Sequence, residues 1–241
     1  MHQKFEHSPR LHGKSGIVVP ARNEAANLEK CLRSLKPFQD TGDIICVVNA
    51  QSSDETAACA QAHGVEILES KQASRSEAIR SGVEWLLRRH PALEVLMIAH
   101  ADMLFQDNTR AAVTQFLQDN PNAQWGALGH RIDHAGAVYR WLEWGNAFRV
   151  RCWSLAYGDQ CQLMRTSALA SIGGFPCVDC LEDVELSLRL RTLGPACDLG
   201  CPVLIPNRHW RGGVVLTTAR NWLTVILYRI KRSLTGTRTQ G

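Results

Sequence analysis

The chain has 241 residues, of which 45% are hydrophobic and 21% charged. That balance excludes collagen-like, low-complexity and intrinsically disordered classes, and the length suits one α/β domain with a core that needs no disulfide or metal to fold. The formal net charge of +4 is mild; it suits phosphate-bearing ligands or an anionic membrane surface, and no nucleic-acid partner is expected.

Residues 1–14 are polar and basic and read as a flexible N-terminal tail with no apolar core of a signal peptide. Ile17 to Pro20 then reads as a short buried strand, and Glu24 to Leu35 as a helix with Ala25, Leu28, Leu32 and Leu35 on one face. Ile44 to Val48 is a second strand, followed by a helix that Ser53-Asp54 can cap and a third strand at Val65 to Leu68. Arg75 to His90 is amphipathic, and Val95 to Ala99 is a fourth strand. A helix is expected over 107–119, and Trp125 to Ile132 reads as one strand. Val138 to Val150 is helical and aromatic, Cys161 to Met164 a strand, Leu181 to Leu193 a helix and Val203 to Pro206 a late strand. Val214 to Ile230 closes the chain as an amphipathic helix, and residues 233–241 form a flexible tail.

Strands alternating with helices indicate βαβ units and a mainly parallel central sheet flanked by helices. Ligands of such sheets bind beyond the carboxyl ends of the strands. Four polar clusters fall there: Ala21 to Glu24, Asn49 to Asp54, Ser74-Arg75, and His100 to Asp102. Each has a purely structural reading as well. Asp54 and Asp102 are good helix caps, Glu182-Asp183 suits a helix dipole, and Gly158-Asp159 is an ordinary turn pair.

Six segments, in order, resemble the inverting family-two glycosyltransferases of the GT-A fold. They are IVVPARNEAANL (17–28), VVNAQSSDET (47–56), AHADMLF (99–105), YGDQ (157–160), IGGFP (172–176) and LEDVELSLRLRTLG (181–194). Within that group the chain is most similar to the small bacterial arsenosugar-biosynthesis-type branch. The resemblance spans about residues 15–230 and implies a single GT-A domain over 15–232. It implies transfer of a sugar from a nucleoside-diphosphate sugar to an acceptor hydroxyl with inversion. The alternative is a non-catalytic GT-A-like module that binds nucleotide sugars.

The resemblance also distributes roles. Asp102 is the implied ligand of a divalent cation, Mn2+ or Mg2+, which offsets charge on the leaving diphosphate. The family's first acidic position is His100 here. His209, within Arg208-His209-Trp210, is a further candidate ligand, and Arg208 and Arg75 are placed to face the diphosphate. Asp183 is the implied general base, beside Glu182. Pro20, Arg22, Glu24, Asn49, Asp54, Arg75, His100 and Ala101 are the expected nucleotide-sugar residues; Asn49 stands where the family usually has an aspartate. Asp159, Gln160, Glu182 and Trp210 are expected on the acceptor side.

Nine cysteines cannot all pair within one chain, and the cytoplasm with reduced thiols is the expected compartment. Cys177-x2-Cys180 and Cys197-x3-Cys201 offer a structural zinc site as a minor alternative to buried or surface thiols. No run of 18 apolar residues is present, so no transmembrane helix is expected. The last helix carries Leu216, Ala219, Leu223, Ile226 and Ile230 in one stripe ending at Arg229, Lys231 and Arg232. Packing of that stripe on the sheet is the expectation. Peripheral attachment to the inner membrane surface, with a lipid-linked acceptor, is the alternative.

Overall fold

The computed structural model describes residues 14–210 and 213–235, with the side chains of His209 and Thr235 left out. The expected tails fall outside these residues, except that Lys14 begins the first strand and 233–235 continue the last helix. The elements run β1 (Lys14–Ala21), α1 (Ala25–Ser34), α2 (Lys36–Asp40), β2 (Ile44–Asn49), α3 (Thr56–Ala62), β3 (Glu66–Glu69), α4 (Arg75–Arg89), β4 (Leu93–Ile98) and α5 (Thr109–Asp119). Then come β5 (Trp125–Ala127), β6 (His130–Ile132), α6 (Ala137–Trp153), β7 (Gln162–Arg165), α7 (Thr166–Ser171), α8 (Glu182–Leu190), β8 (Cys197–Asp198), β9 (Val203–Ile205) and α9 (Val214–Thr235).

Seven strands form one sheet in the order β3-β2-β1-β4-β7-β5-β8. The first four are mutually parallel, β7 runs antiparallel to both neighbours, and β5 and β8 are parallel. Parallel strands joined by helices are covered on both faces, so they read as continuous apolar runs. Ile17, Val19, Ile45, Val47, Val95 and Met97 point into one core layer with α1, α2 and α5. Val18, Cys46, Val48, Leu96 and Ile98 point into the other, against Ile79, Val83 and Leu86 of α4. Gly82 lets α4 lie directly on the sheet: a Cβ there would come within 2.8 Å of Val18 and 2.6 Å of Val48.

Trp125 to Ile132 is not one strand. The chain turns at Gly129, with φ +84°, and splits into β5 in the main sheet and β6, which pairs with β9 in a two-stranded sheet. A positive φ costs glycine nothing, so the break falls there.

Helix α9 departs from the expectation more sharply. Its apolar stripe does not pack on the sheet: Leu216 is 73% exposed, Leu223 56% and Ile230 51%. The helix docks by its other face. Val225 packs with Leu155, Val184 and Leu188. The Tyr228 hydroxyl and Arg232 Nε donate to Glu185 Oε2 of α8 at 2.9 and 2.8 Å. No helix among the described residues is long and apolar enough to cross a membrane.

The four cysteines proposed for zinc do not converge. Cys177 and Cys180 are exposed between α7 and α8, Cys197 lies in the edge strand β8, and Cys201 is buried with its thiol against Thr109. Among the described residues, no three His, Cys, Asp or Glu side chains are grouped to hold a metal. Spacing put two pairs near each other in sequence, but β8 places Cys197 at the far edge of the sheet while Cys201 turns in against Thr109.

Candidate active site

The turn after β1 and the turn after β2 are built as one unit. Asn23 adopts φ +53°, a left-handed conformation that Asn tolerates better than most residues. Its backbone N–H donates to Ser52 Oγ at 3.0 Å, and its side-chain oxygen accepts from the Ser53 N–H at 2.8 Å. The Glu24 N–H donates to Thr56 Oγ1, and the Ala25 N–H donates to Asp54 Oδ2. Asp54 also accepts from the Thr56 N–H and hydroxyl. These bonds hold its carboxyl below the usual carboxylate range, the Thr56 hydroxyl contributing most. Asp54 thus ties the starts of α1 and α3 together. Asn49 is buried: its amide nitrogen donates to both Glu69 oxygens, and its oxygen accepts from the Ser52 N–H. Neither Asp54 nor Asn49 is among the cleft-lining residues; both shape the turns that are.

Two clefts open at the strand ends. The first, about 350 Å3, is lined by Pro20, Ala21, Arg22, Glu24, Ala50, Ala73, Arg75, His100, Ala101, Asp102 and Arg208. The second, about 370 Å3, is lined by Arg75, His100, Tyr157, Asp159, Leu181, Asp183, Val184 and Trp210, with Thr217, Arg220, Asn221, Thr224 and Val225 from α9. Arg75 and His100 belong to both, so they form the wall or passage between them. The sequence-derived candidates Pro20, Arg22, Glu24, Ala101 and Asp102 gather in the first cleft, and Asp159, Asp183 and Trp210 in the second.

In the first cleft Arg208 Nη2 donates to Glu24 Oε1 and to Asp102 Oδ2, both at 2.7 Å. One guanidinium therefore bridges the end of β1 to the turn after β4. Arg22 Nη1 reaches the Ala73 carbonyl at 3.4 Å. Arg75 opens α4 and donates from Nε to Glu182 Oε1 at 2.7 Å. Glu182 is buried and does not line either cleft; its charge fixes Arg75 where the clefts meet. His100 is pushed down to about 4 by burial and by the neighbouring Arg75, so it is neutral near pH 7. The side chain of His209 lies outside the described residues.

In the second cleft Asp183 sits in the first turn of α8, after Leu181 at φ +56°. A branched residue in that region is strained by roughly 1–3 kcal/mol, which surrounding contacts must hold in place. Asp183 Oδ2 accepts from the Gly158 N–H at 2.7 Å, and Oδ1 accepts from the Val184 N–H at 2.8 Å. Burial raises the Asp183 carboxyl, and the charge of Glu182 adds to this against the bonds from Gly158 and Val184 and the charge of Arg75. Gly158 has a specific purpose: a Cβ there would lie 2.8 Å from His100 Nε2 and 3.4 Å from Asp183 Oδ2. A bare backbone is what leaves room for the imidazole; the Asp183 carboxylate would be in ordinary contact with a Cβ at that distance.

Gln160 is buried and does not line the second cleft. Its side-chain oxygen accepts from Arg149 Nη2 at 2.7 Å and from the Tyr157 N–H at 3.1 Å. Arg149, which sequence reading passed over, stacks over the Tyr157 ring at 3.4 Å from its centroid. It also donates to Asn146 and the Leu155 carbonyl. Asp159 stands 3.3 Å from His130 Nδ1. Burial pushes its carboxyl up, but His130, Arg149 and His100 outweigh this and hold it down to about 2. Arg220 and Asn221 were likewise missed, since nothing in a helix of mixed polarity marks which face meets a cleft.

The clefts meet at Arg75 and His100, beyond the carboxyl ends of β3 and β4, where open α/β sheets bind their ligands. The family model "Glycosyl transferase family 2" matches residues 16–169, and the chain belongs to that family. Among solved structures it is similar to the mannosyltransferase PcManGT from Pyrobaculum calidifontis in complex with GDP-Man and Mn2+ (TM-score 0.66, 17% identity, 92% of this chain and 66% of that one). It is similar to residues 1–349 of TarS from S. aureus (TM-score 0.64, 13% identity, 81% of this chain and 61% of that one), also solved with UDP-GlcNAc. It is similar as well to mannosyl-3-phosphoglycerate synthase from Rubrobacter xylanophilus (TM-score 0.62, 18% identity, 96% and 78%). The fold is therefore GT-A, with a mostly parallel central sheet flanked by helices. The chain spans about three fifths to two thirds of the length of the first two structures. No curated protein matches the sequence significantly.

Proposed function

We propose that this chain moves a glycosyl group from a nucleoside-diphosphate sugar to an acceptor hydroxyl, with inversion. The donor takes the first cleft and the acceptor the second. The observation that carries this reading is the pair of clefts meeting at Arg75 and His100, with Asp183 in the second alone. The acceptor O–H gives its proton to the Asp183 carboxylate as its oxygen bonds to the anomeric carbon. The bond from that carbon to the diphosphate breaks, and the diphosphate leaves with the electron pair. Attack in line, on the face opposite the departing diphosphate, inverts the anomeric centre. A raised carboxyl pKa suits a group that must accept a proton in the transition state.

Arg75 and Arg208 supply cations on the donor side. Asp102 and Glu24 supply hard oxygen ligands there, both already facing one cation, the Arg208 guanidinium. Such a pair would hold a Mg2+ or Mn2+ ion through carboxylate oxygens, the ligand type these hard cations prefer. When bound, that ion would offset negative charge on the leaving diphosphate. GDP-Man with Mn2+ in the Pyrobaculum enzyme and UDP-GlcNAc in TarS are in keeping with this assignment. The acceptor is a hydroxyl compound, and a lipid-linked one suits the apolar outer face of α9. The likeness to the arsenosugar-biosynthesis-type branch rests on the motifs.

Thermal-shift measurements with UDP- and GDP-sugars, with and without Mn2+, test the donor assignment. A ligand that binds the native state raises Tm. One donor class should raise it, and more so with Mn2+. No shift with any nucleotide sugar would remove the reading.

A further inference from the structure

Helix α9 is amphipathic with its polar side inward. Thr217, Arg220, Asn221 and Thr224 line the second cleft, and Tyr228 and Arg232 bond Glu185. At about 100° per residue these positions share one face, and Leu216, Leu223, Ile226, Leu227 and Ile230 fall on the opposite one. All five are exposed. The apolar surface continues onto α6. Trp144 stacks on Phe148 with centroids 5.7 Å apart, Phe148 meets Trp153 at 6.1 Å, and Trp153 meets Trp222 of α9 at 5.8 Å. Trp141 and Trp144 are 67% and 64% exposed. Scattered exposed apolar residues are ordinary, but a continuous aromatic and aliphatic face over two helices is not.

The charges that α9 brings to this face are of one sign. Helix α9 contains Arg220, Arg229, Lys231 and Arg232 and no acidic residue. Arg229 and Arg232 crowd Arg191 at the end of α8, and their repulsion adds to burial in lowering its pKa. Pairing α9 with α9 of a second copy would set one acid-free cationic helix against another, which opposes association. Anionic headgroups would complement it. Tryptophan beside an aliphatic stripe and flanking arginines is the composition of a helix lying in a bilayer interface.

We propose that the outer face of α6 and α9 docks this protein on an anionic lipid bilayer. The aromatic rings lie at headgroup level, the aliphatic stripe of α9 enters the acyl boundary, and the cationic end of α9 meets lipid phosphates. The same helix walls the second cleft, so docking places that cleft at the membrane surface. The acceptor consequence rests on the glycosyl-transfer reading, whereas docking itself does not.

Flotation of the full chain with phosphatidylcholine vesicles, with or without phosphatidylglycerol, reads docking apart from transfer. Binding is expected to the mixed vesicles, weaker at high salt, and absent on phosphatidylcholine alone. The double variants Leu223→Ser/Ile230→Ser and Trp144→Ser/Phe148→Ser should each lower partitioning roughly tenfold or more, and Arg229→Glu should remove the preference for anionic lipid. Circular dichroism and the nucleotide-induced Tm shift should stay as in the unaltered chain. Three results would each overturn the proposal: no binding to mixed vesicles, equal binding by all variants, or a stable dimer that Leu223→Ser converts to monomer.

Discussion

Gly158 does more for the site than its size suggests. Its N–H donates to Asp183 Oδ2, and its missing side chain leaves room for the His100 ring. Gly158→Ala should therefore displace the His100 ring, which lies beside the Asp183 carboxylate, without touching the core. Misplacing a reacting group by about 1 Å can cost about 100-fold in rate. We expect a loss of that order in transfer activity and, because His100 also lines the first cleft, a smaller loss of donor affinity. Retained activity would mean that the two side chains need not share this space. Leu181 adds a second backbone device, a left-handed residue immediately before the Glu182-Asp183 pair. The motif residues were legible in the sequence. Their division of labour was not: Asp54, Asn49, Glu182 and Gln160 act on neighbours rather than on the clefts, and only hydrogen-bond partners show it.

Strands β1, β2 and β4 were readable because two-sided burial writes itself as unbroken apolar runs between polar strand ends, and β3, a half-buried edge strand, was readable with α1, α3 and α4 from the alternation around it. The later strands were less so. β5 and β6 were read as one strand and β8 was not expected; each has two or three residues, too few for a period, and exists by pairing with distant partners, whereas the short β9 falls where a late strand was expected. Helix α9 was found in the right place with the wrong side inward, since an apolar stripe looks the same whether it meets a sheet or lipid. Arg149 was invisible for a related reason: a cation in an aromatic helix gives no sign that a tyrosine ring, a glutamine and a carbonyl wait for it. The contact between Asp159 in the turn before β7 and His130 in β6 has a measurable consequence. The Asp159 pKa is lowered from 3.8 to about 2, so the folded state binds that proton less readily than the unfolded chain. Its contribution to stability is complete above pH 3.8 and is lost as pH falls towards 2. Unfolding of the unaltered chain should steepen in that window, and Asp159→Asn should flatten it. An unchanged acid profile would show that the Asp159 carboxylate adds nothing to stability.

At the scale of the whole molecule, the parallel half of the sheet carries one cleft, the irregular half and α9 carry the other, and Arg75 and His100 join them. On the proposed reading, donor binding and proton transfer fall to different walls of one site. Isothermal titration and turnover of Asp102→Asn and Asp183→Asn, with the donor that shifts Tm and Mn2+, test this division most directly. Asp183→Asn should bind the donor as the unaltered chain does and lose about 100- to 10,000-fold in turnover, the range for removing a general base. Asp102→Asn should lose the Mn2+-dependent part of donor binding. Full turnover by Asp183→Asn, or loss of donor binding by both variants alike, would contradict the account.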